Sequence, residues 1–224
     1  ALGSEWVNDQ ARSILEDMDV VIFKCGVLSS LENMTAVAEI VADYPNIPLI
    51  IDPVLASGRG DDLANADMLL AMTELLFPQS LLITPNSFEA RRLVIEDNEE
   101  FSSITIEECA ERLRVMGCEN TLITGTHEKT DSVINTLFDH QGQPTPFYWD
   151  RLPGNYHGSG CTLTSAIAGY YAQGLSLEVA VEEAQNFTWH TLNNAFKPGM
   201  GQSIPDRFFW RNDFKDDDGR YNHN

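Results

Sequence analysis

Apolar residues along this chain recur in two rhythms, one helical and one strand-like, that take turns. Trp6, Gln10, Ile14 and Met18 lie at helical spacing between Glu5 and Met18, with Ala11 and Leu15 widening the face, and Val20-Val21-Ile22-Phe23 then reads as a buried strand. Ser29 and Glu32, at capping-box spacing, open a second helix whose apolar face is Met34, Val37, Ala38 and Val41. It is stopped by Tyr44-Pro45, and Leu49-Ile50-Ile51 follows as a second strand. The alternation continues with a helix over about 67–77 closed by Pro78, a strand at Leu81-Leu82-Ile83-Thr84 and a short helix from Asn86 to Ile95. Thr105 and Glu108 cap a further helix that presents Ile106, Ala110, Leu113 and Met116 and stops at Gly117, before a strand at Thr121-Leu122-Ile123-Thr124. Continuous apolar strands separated by helices predict an α/β fold with a mostly parallel sheet covered on both faces. Over 133–149 the pattern changes to two strand-like runs around His140-Gln141-Gly142-Gln143, an antiparallel hairpin. Two more helices follow, one beyond Tyr156 ended by Gly174 and one over about 177–196.

Composition narrows the picture. With 224 residues and 43% hydrophobic content the chain is expected to form one domain over 1–210, followed by a polar tail over 211–224. Its 14 basic and 34 acidic residues give a net charge of -20. Such a field repels nucleic acid and acidic membrane surfaces, so a polyanionic ligand requires a local positive device such as Mg²⁺ or a helix N-terminus. Cys25, Cys109, Cys118 and Cys161 show neither C-x-x-C pairing nor zinc spacing, which fits a reducing cytoplasm. No stretch approaches the roughly 18 consecutive apolar residues of a membrane helix. The chain opens on Ala1 rather than Met, as a fragment or processed form would.

Ligands of open α/β sheets bind beyond the carboxyl ends of the strands. The polar residues predicted there are Lys24-Cys25-Gly26, Asp52, Thr84-Pro85-Asn86 and Thr124-Gly125, which should line one crevice. Asn86 and Glu89 have two compatible readings, a helix cap and an oxygen pair for Mg²⁺. Asp52 is either a turn residue held by Pro53 or a carboxylate near metal and phosphate. In His157-Gly158-Ser159-Gly160-Cys161-Thr162, two glycines before an apolar helix place backbone N–H groups, a dipole end and a thiol together, as an anion site beside a nucleophile or base requires. The plainer reading is a tight loop with Cys161 as a small buried hydrophobe. Five histidines are scattered without metal-ligand spacing, and only His157 has a claim by position. Neither a P-loop nor a dinucleotide fingerprint occurs, which disfavours a nicotinamide dehydrogenase.

Taken together, Phe23-Lys24-Cys25-Gly26-Val27-Leu28, Asp52-Pro53-Val54-Leu55, Ile83-Thr84-Pro85-Asn86 with Glu89, Gly117-Cys118 leading to Thr124-Gly125-Thr126-His127, and His157 through Thr162 resemble the bacterial hydroxymethylpyrimidine/phosphomethylpyrimidine kinases of thiamine biosynthesis, in the ribokinase-like superfamily. The resemblance implies a three-layer α/β/α sandwich and transfer of phosphoryl groups from ATP, with Mg²⁺, to a small pyrimidine alcohol and then to its monophosphate. It implies Cys161 as the catalytic residue within an anion hole of Gly158, Ser159 and Gly160. Thr124, Gly125 and Asn86 match the ATP side, Glu89 and Asp52 the metal region, and Gly26 and Val27 part of the pyrimidine pocket. It also suggests a homodimer. Family members begin with an additional strand and helix bearing a glycine-rich pyrimidine-binding motif, to which nothing here corresponds. Thr124 and Thr126 stand where relatives often carry lysine and glycine, and Arg59 is the basic residue nearest a family lysine by Gly58. The alternatives are a pyridoxal-type vitamin kinase and a catalytically incompetent ligand-binding fragment.

Overall fold

The computed structural model describes residues 2–28, 30–56, 63–97 and 99–214, the last three by backbone alone. Ser29, Gly58 and Arg59 lie outside the described residues. The chain forms two compact units, residues 1–150 and 151–224.

In the first unit, a six-stranded sheet runs in the order β1 (Phe23–Cys25), β2 (Leu49–Ile51), β3 (Ser80–Ile83), β4 (Thr121–Ile123), β5 (Ser132–Phe138), β6 (Pro144–Asp150). The first four strands are parallel and the last two pairings antiparallel, the mixed sheet that the sequence pattern predicts. Leu49, Ile50 and Ile51 are at most 1% exposed. Because successive strand residues point to opposite faces, neither face of the sheet meets water at β2. Among the described residues this unit has the α-helices α1 (Ser4–Leu15), α2 (Leu31–Asp43), α3 (Ala66–Ala71), α4 (Ser87–Val94) and α5 (Ile106–Val115). Met34 of α2, Phe77, and Leu113 of α5 join Leu49, Ile51 and Ile83 in one buried apolar cluster. Burying each such side chain contributes roughly 1.5–3 kcal/mol.

The helix ends follow local chemistry. Asn86 and Thr105 each form a complete capping box, with Glu89 and Glu108 answering from the third helical position. The N-cap of α2 is Ser30, one residue beyond the Ser29 predicted from its spacing to Glu32, and it accepts from the Asn33 N–H at 3.2 Å. Gly117 ends α5 with φ at 98°, a left-handed conformation that costs glycine little. Beyond α3 the helix widens into a π turn, Met72–Leu76, and then tightens to a 3₁₀ turn, Phe77–Gln79, where Pro78 brings no N–H. The Gln79 side chain donates to the Leu75 carbonyl at 2.7 Å, satisfying one group that this transition leaves over.

Two further details differ from the sequence reading. The first strand begins at Phe23 rather than Val20, and Val21 is 57% exposed; pairing starts where the Phe23 N–H meets the Pro48 carbonyl at 2.8 Å. In α1, which packs against α2, the half-buried stripe is Val7, Ala11 and Leu15, while Trp6 and Ile14 face solvent; the Arg12 guanidinium also bonds Asp43 of α2. Before α5, Glu99 is clasped by both Nη groups of Arg112 at 2.6 and 2.7 Å, which holds its carboxyl down to about 2.

The second unit is built on the paired helices α6 (Ser159–Ala172) and α7 (Leu177–Asn193). Ile167 and Ala168 of α6 and Ala180, Val181 and Ala184 of α7 are buried, and Gly174 makes the left-handed turn between the helices. A 3₁₀ turn, Phe209–Phe214, follows. In it, the rings of Phe209 and Trp210 pack at a tilt against Phe187 and edge-on against each other, with centroids 5.4 to 6.2 Å apart.

Gly125 joins β4 to β5 by close backbone approach: a Cβ there would stand 2.1 Å from the Ile134 carbonyl oxygen, and its N–H donates to Asn135 Oδ1 at 3.1 Å. Gly125→Ala is expected to lower the urea midpoint by the equivalent of ~1–3 kcal/mol at unchanged m, since backbone cannot yield as a flexible side chain would. A midpoint equal to that of the parent chain would show that the hairpin shifts at no cost.

Candidate functional site

In the first unit the sheet's hydrogen bonding continues past the strand ends and sets the predicted residues in a row. The Asp52 N–H donates to the Cys25 carbonyl at 2.9 Å, Thr84 to Ile51 at 2.9 Å, Thr124 to Pro85 at 3.0 Å and Ser87 to Thr124 at 2.9 Å. Asn86 and Thr124 form an isolated parallel bridge. Cys25, Asp52, Thr84, Asn86 and Thr124 are therefore brought together at the carboxyl edge, as the strand-end argument anticipates. Gly26 and Val27 follow β1 at the same edge, and Val27 is 53% exposed.

Two carboxylates are held there in different ways. Glu89 accepts from the Asn86 N–H at 3.0 Å through one oxygen and from the Leu55 N–H at 3.4 Å through the other. It is 9% exposed, and burial pushes its carboxyl up to about 7, with the charge of Asp52 adding to the effect. Asp52 is 4% exposed, with Lys24 Nζ 3.9 Å from its Oδ2. Gly26 leaves room for that ammonium, since a Cβ on it would stand 2.8 Å from Lys24 Nζ. Cys25 beside them is a buried thiol pushed up to about 11 by desolvation, which makes it inert at neutral pH. Among the described residues no group of three or more His, Cys, Asp or Glu is arranged to hold a metal ion. Two mutually repelling carboxylates do suit Mg²⁺, which takes one or two protein carboxylates and completes its octahedron with waters and phosphate oxygens.

In the second unit, Gly158 is the N-cap of α6, with φ at 87° and ψ at 12°. This left-handed turn starts the helix at Ser159, so Ser159, Gly160 and Cys161 form the first turn and Thr162 N–H is the first to reach an intrahelical carbonyl, that of Gly158, at 3.0 Å. First-turn N–H groups point outward along the axis, where an anion is favoured. Gly158 alone makes the turn; Gly160, read from the sequence as a second turning glycine, is helical. Cys161 is exposed, whereas Cys25, Cys109 and Cys118 are buried, and none of the four is in a disulfide. The reading of Cys161 as a small buried hydrophobe does not hold. His157 is fixed by its N–H, which donates to the Ser203 carbonyl at 2.9 Å. A cavity of about 520 Å³ lies in this unit, lined by Gly154, Asn155, Lys197 and the segment Met200 to Ser203.

Two cations went unassigned in the sequence reading. Lys24 was visible only as a polar strand end, whereas its pairing with Asp52 depends on the β1–β2 register that sets Cys25 opposite Ile51. Arg207 stands against the start of α6, with Nε donating to Thr162 Oγ1 at 3.0 Å. No local motif announces it across the 45 residues that separate the two.

Comparison with known proteins follows the same lines. The family model described as phosphomethylpyrimidine kinase matches residues 1–206. The chain is 32% identical over 214 residues to the thiamine biosynthesis bifunctional protein ThiED of Geobacter sulfurreducens, covering 94% of this chain and 43% of that protein. It is 30% identical over 211 residues to the hydroxymethylpyrimidine/phosphomethylpyrimidine kinase of Bacillus subtilis, covering 92% of this chain and 76% of that one. The chain thus spans less than half the length of the bifunctional relative. Among solved structures, an ADP complex of Bacillus subtilis pyridoxal kinase superposes with a TM-score of 0.82 at 22% identity, over 94% of this chain and 78% of that one, which establishes the shared ribokinase-like α/β fold. With the family model matched from residue 1 to residue 206, the chain belongs to the phosphomethylpyrimidine kinase family.

Proposed function

We propose that the chain carries out ATP-dependent phosphorylation of 4-amino-5-hydroxymethyl-2-methylpyrimidine and of its monophosphate in thiamine biosynthesis. The observation that carries this reading is the left-handed Gly158 cap, which opens α6 with an exposed thiol at Cys161 in its first turn. Mg²⁺, a cytoplasmic setting and a homodimer belong to the same reading.

Phosphoryl transfer asks a protein mainly for positioning and for stabilising charge on the equatorial oxygens. In this mechanism the first-turn N–H groups of Ser159, Gly160 and Cys161 receive that charge, and Gly158 supplies the turn that aims them. The substrate hydroxyl oxygen attacks the γ-phosphorus, the bond to the β-phosphate oxygen breaks, and ADP leaves. The hydroxyl proton passes to the Cys161 thiolate, a form that a helix N-terminus favours. In the second reaction an ionised phosphate oxygen attacks, so no proton need be removed. Thr124, Gly125 and Asn86 are assigned to the nucleotide and Gly26 and Val27 to the pyrimidine. Asp52 and Glu89 would hold Mg²⁺, which supplies charge neutralisation of the phosphates when bound.

Release of ADP by this chain with the pyrimidine alcohol, run beside pyridoxal, tests the assignment directly. Turnover with pyridoxal alone would place the chain with the other vitamin kinases, and none with either would leave a binding module.

Cys161→Ala is expected to reduce kcat/KM of the first phosphorylation by about 10²-fold or more, the scale of a lost general base, and the second by much less. Equal losses in both would make Cys161 a positioning group. Gly158→Ala is expected to cost about 1–2 kcal/mol through its positive φ alone and to depress both reactions together; unchanged turnover in a folded variant would remove this loop from the mechanism.

Glu89 generates a pH dependence. Its folded carboxyl titrates near 7 against a reference of 4.5, so the fold retains a proton that the unfolded chain releases between those values. The stability it contributes is fully present below about pH 4.5 and is lost as pH rises through about 7, by a few kcal/mol at most. Urea midpoints of the parent chain should therefore fall relative to those of Glu89→Gln between pH 5 and 7.5. Parallel curves for the two proteins would contradict the assignment.

A further inference from the structure

The chain beyond α7 returns along the start of α6 as a strap held by backbone hydrogen bonds. Phe196 and Ile204 exchange both N–H donors, at 3.2 and 2.9 Å. The Ser203 N–H donates to Asn155 at 3.3 Å, its carbonyl accepts from His157 at 2.9 Å, and the Asp206 N–H donates to the Thr191 carbonyl at 2.9 Å. These bonds tie the strap to both the entry of α6 and the end of α7, so the position from which Arg207 departs is fixed.

From there the guanidinium lies over the N-cap of α6. Nε donates to Thr162 Oγ1 at 3.0 Å, and that hydroxyl is itself oriented by donating to the Gly158 carbonyl at 2.7 Å. Nη2 stands 3.3 Å from where a Cβ on Gly158 would be. Arg12, Arg91, Arg112 and Arg114 each grip a carboxylate. Arg207 instead makes one hydrogen bond, to a neutral hydroxyl, and no ion pair among the described residues, in a chain with 34 acidic and 14 basic residues. A cation set against the positive end of a helix dipole is unfavourable until an anion joins both. Its fork of donors matches two oxygens of one phosphate.

We propose that Arg207 binds phosphate oxygens delivered to the Gly158–Cys161 turn, from the nucleotide or from the phosphorylated acceptor. The assignment rests on the reading of that turn as the anion hole.

The test compares the full chain with Arg207→Ala and Arg207→Lys, using calorimetric titration with ATP and with adenosine in the presence of Mg²⁺, and ADP release with the pyrimidine alcohol and its monophosphate. If the nucleotide is the source, Arg207→Ala weakens ATP about tenfold or more and leaves adenosine unchanged; Arg207→Lys restores part of the loss, as does added guanidinium ion with the alanine variant. If the acceptor is the source, the loss appears as a raised KM for the monophosphate at unchanged ATP affinity. Loss of ATP and adenosine binding in equal measure would assign Arg207 to holding the strap alone and overturn the proposal. So would changes below twofold in both ATP affinity and monophosphate KM. Should the parent chain bind ATP in this Arg207-dependent way yet release no ADP, the proposed activity fails while the Arg207 assignment stands. Normal turnover with an indifferent Arg207 gives the converse, and a parent chain that binds no ATP overturns both.

Discussion

A buried carboxylate shared between two backbone N–H groups organises the carboxyl edge of the sheet. Glu89 caps α4 through Asn86 and reaches the loop after β2 through Leu55, so one side chain joins a helix start to a strand exit. Without it, two backbone donors would lose a partner where water is scarce, a cost of about 1–3 kcal/mol each. Asp52 stands at the head of that loop, its N–H held by the Cys25 carbonyl and its Oδ2 3.9 Å from Lys24 Nζ. The capping and metal readings of Glu89 thus describe one geometry: the bonds that make it a cap also hold its carboxylate beside a second one.

The features legible in the sequence were those decided over three or four residues. Both complete capping boxes, the glycine stops at Gly117 and Gly174 and the hairpin over 133–149 were of this kind, because each depends on local backbone chemistry. The parallel core was legible for a related reason, since apolar runs such as Leu49 to Ile51 have only a fully covered strand to occupy. The strand-end argument then carried Asp52, Asn86 and Thr124 to one edge.

Choices made by distant partners were less legible. Val20 to Ile22 is as apolar as the true first strand, and only the register with β2 decides where pairing begins. The stripe of Trp6 and Ile14 competes on equal terms with that of Val7, Ala11 and Leu15 until α1 packs against α2. At the start of α6 the sequence offered two glycines for one turn, and the backbone used Gly158. Arg207 lay furthest from local reading, because its place is set by a strap bonded to the chain before α6 and to the end of α7.

The hairpin strand β6 carries a consequence for the protein in concentrated solution. Its residues alternate in exposure, with Pro144, Pro146, Tyr148 and Asp150 outward and Thr145, Phe147 and Trp149 half-buried. Proline has no N–H, so the bonds β6 donates to β5 come from the intervening residues, and two of the outward donors are missing altogether. A strand from another molecule arriving at this margin finds a broken row of donors and a carboxylate at its end, which hinders edge-to-edge stacking into fibrils. The composition of β6 itself closes the sheet to growth on this side.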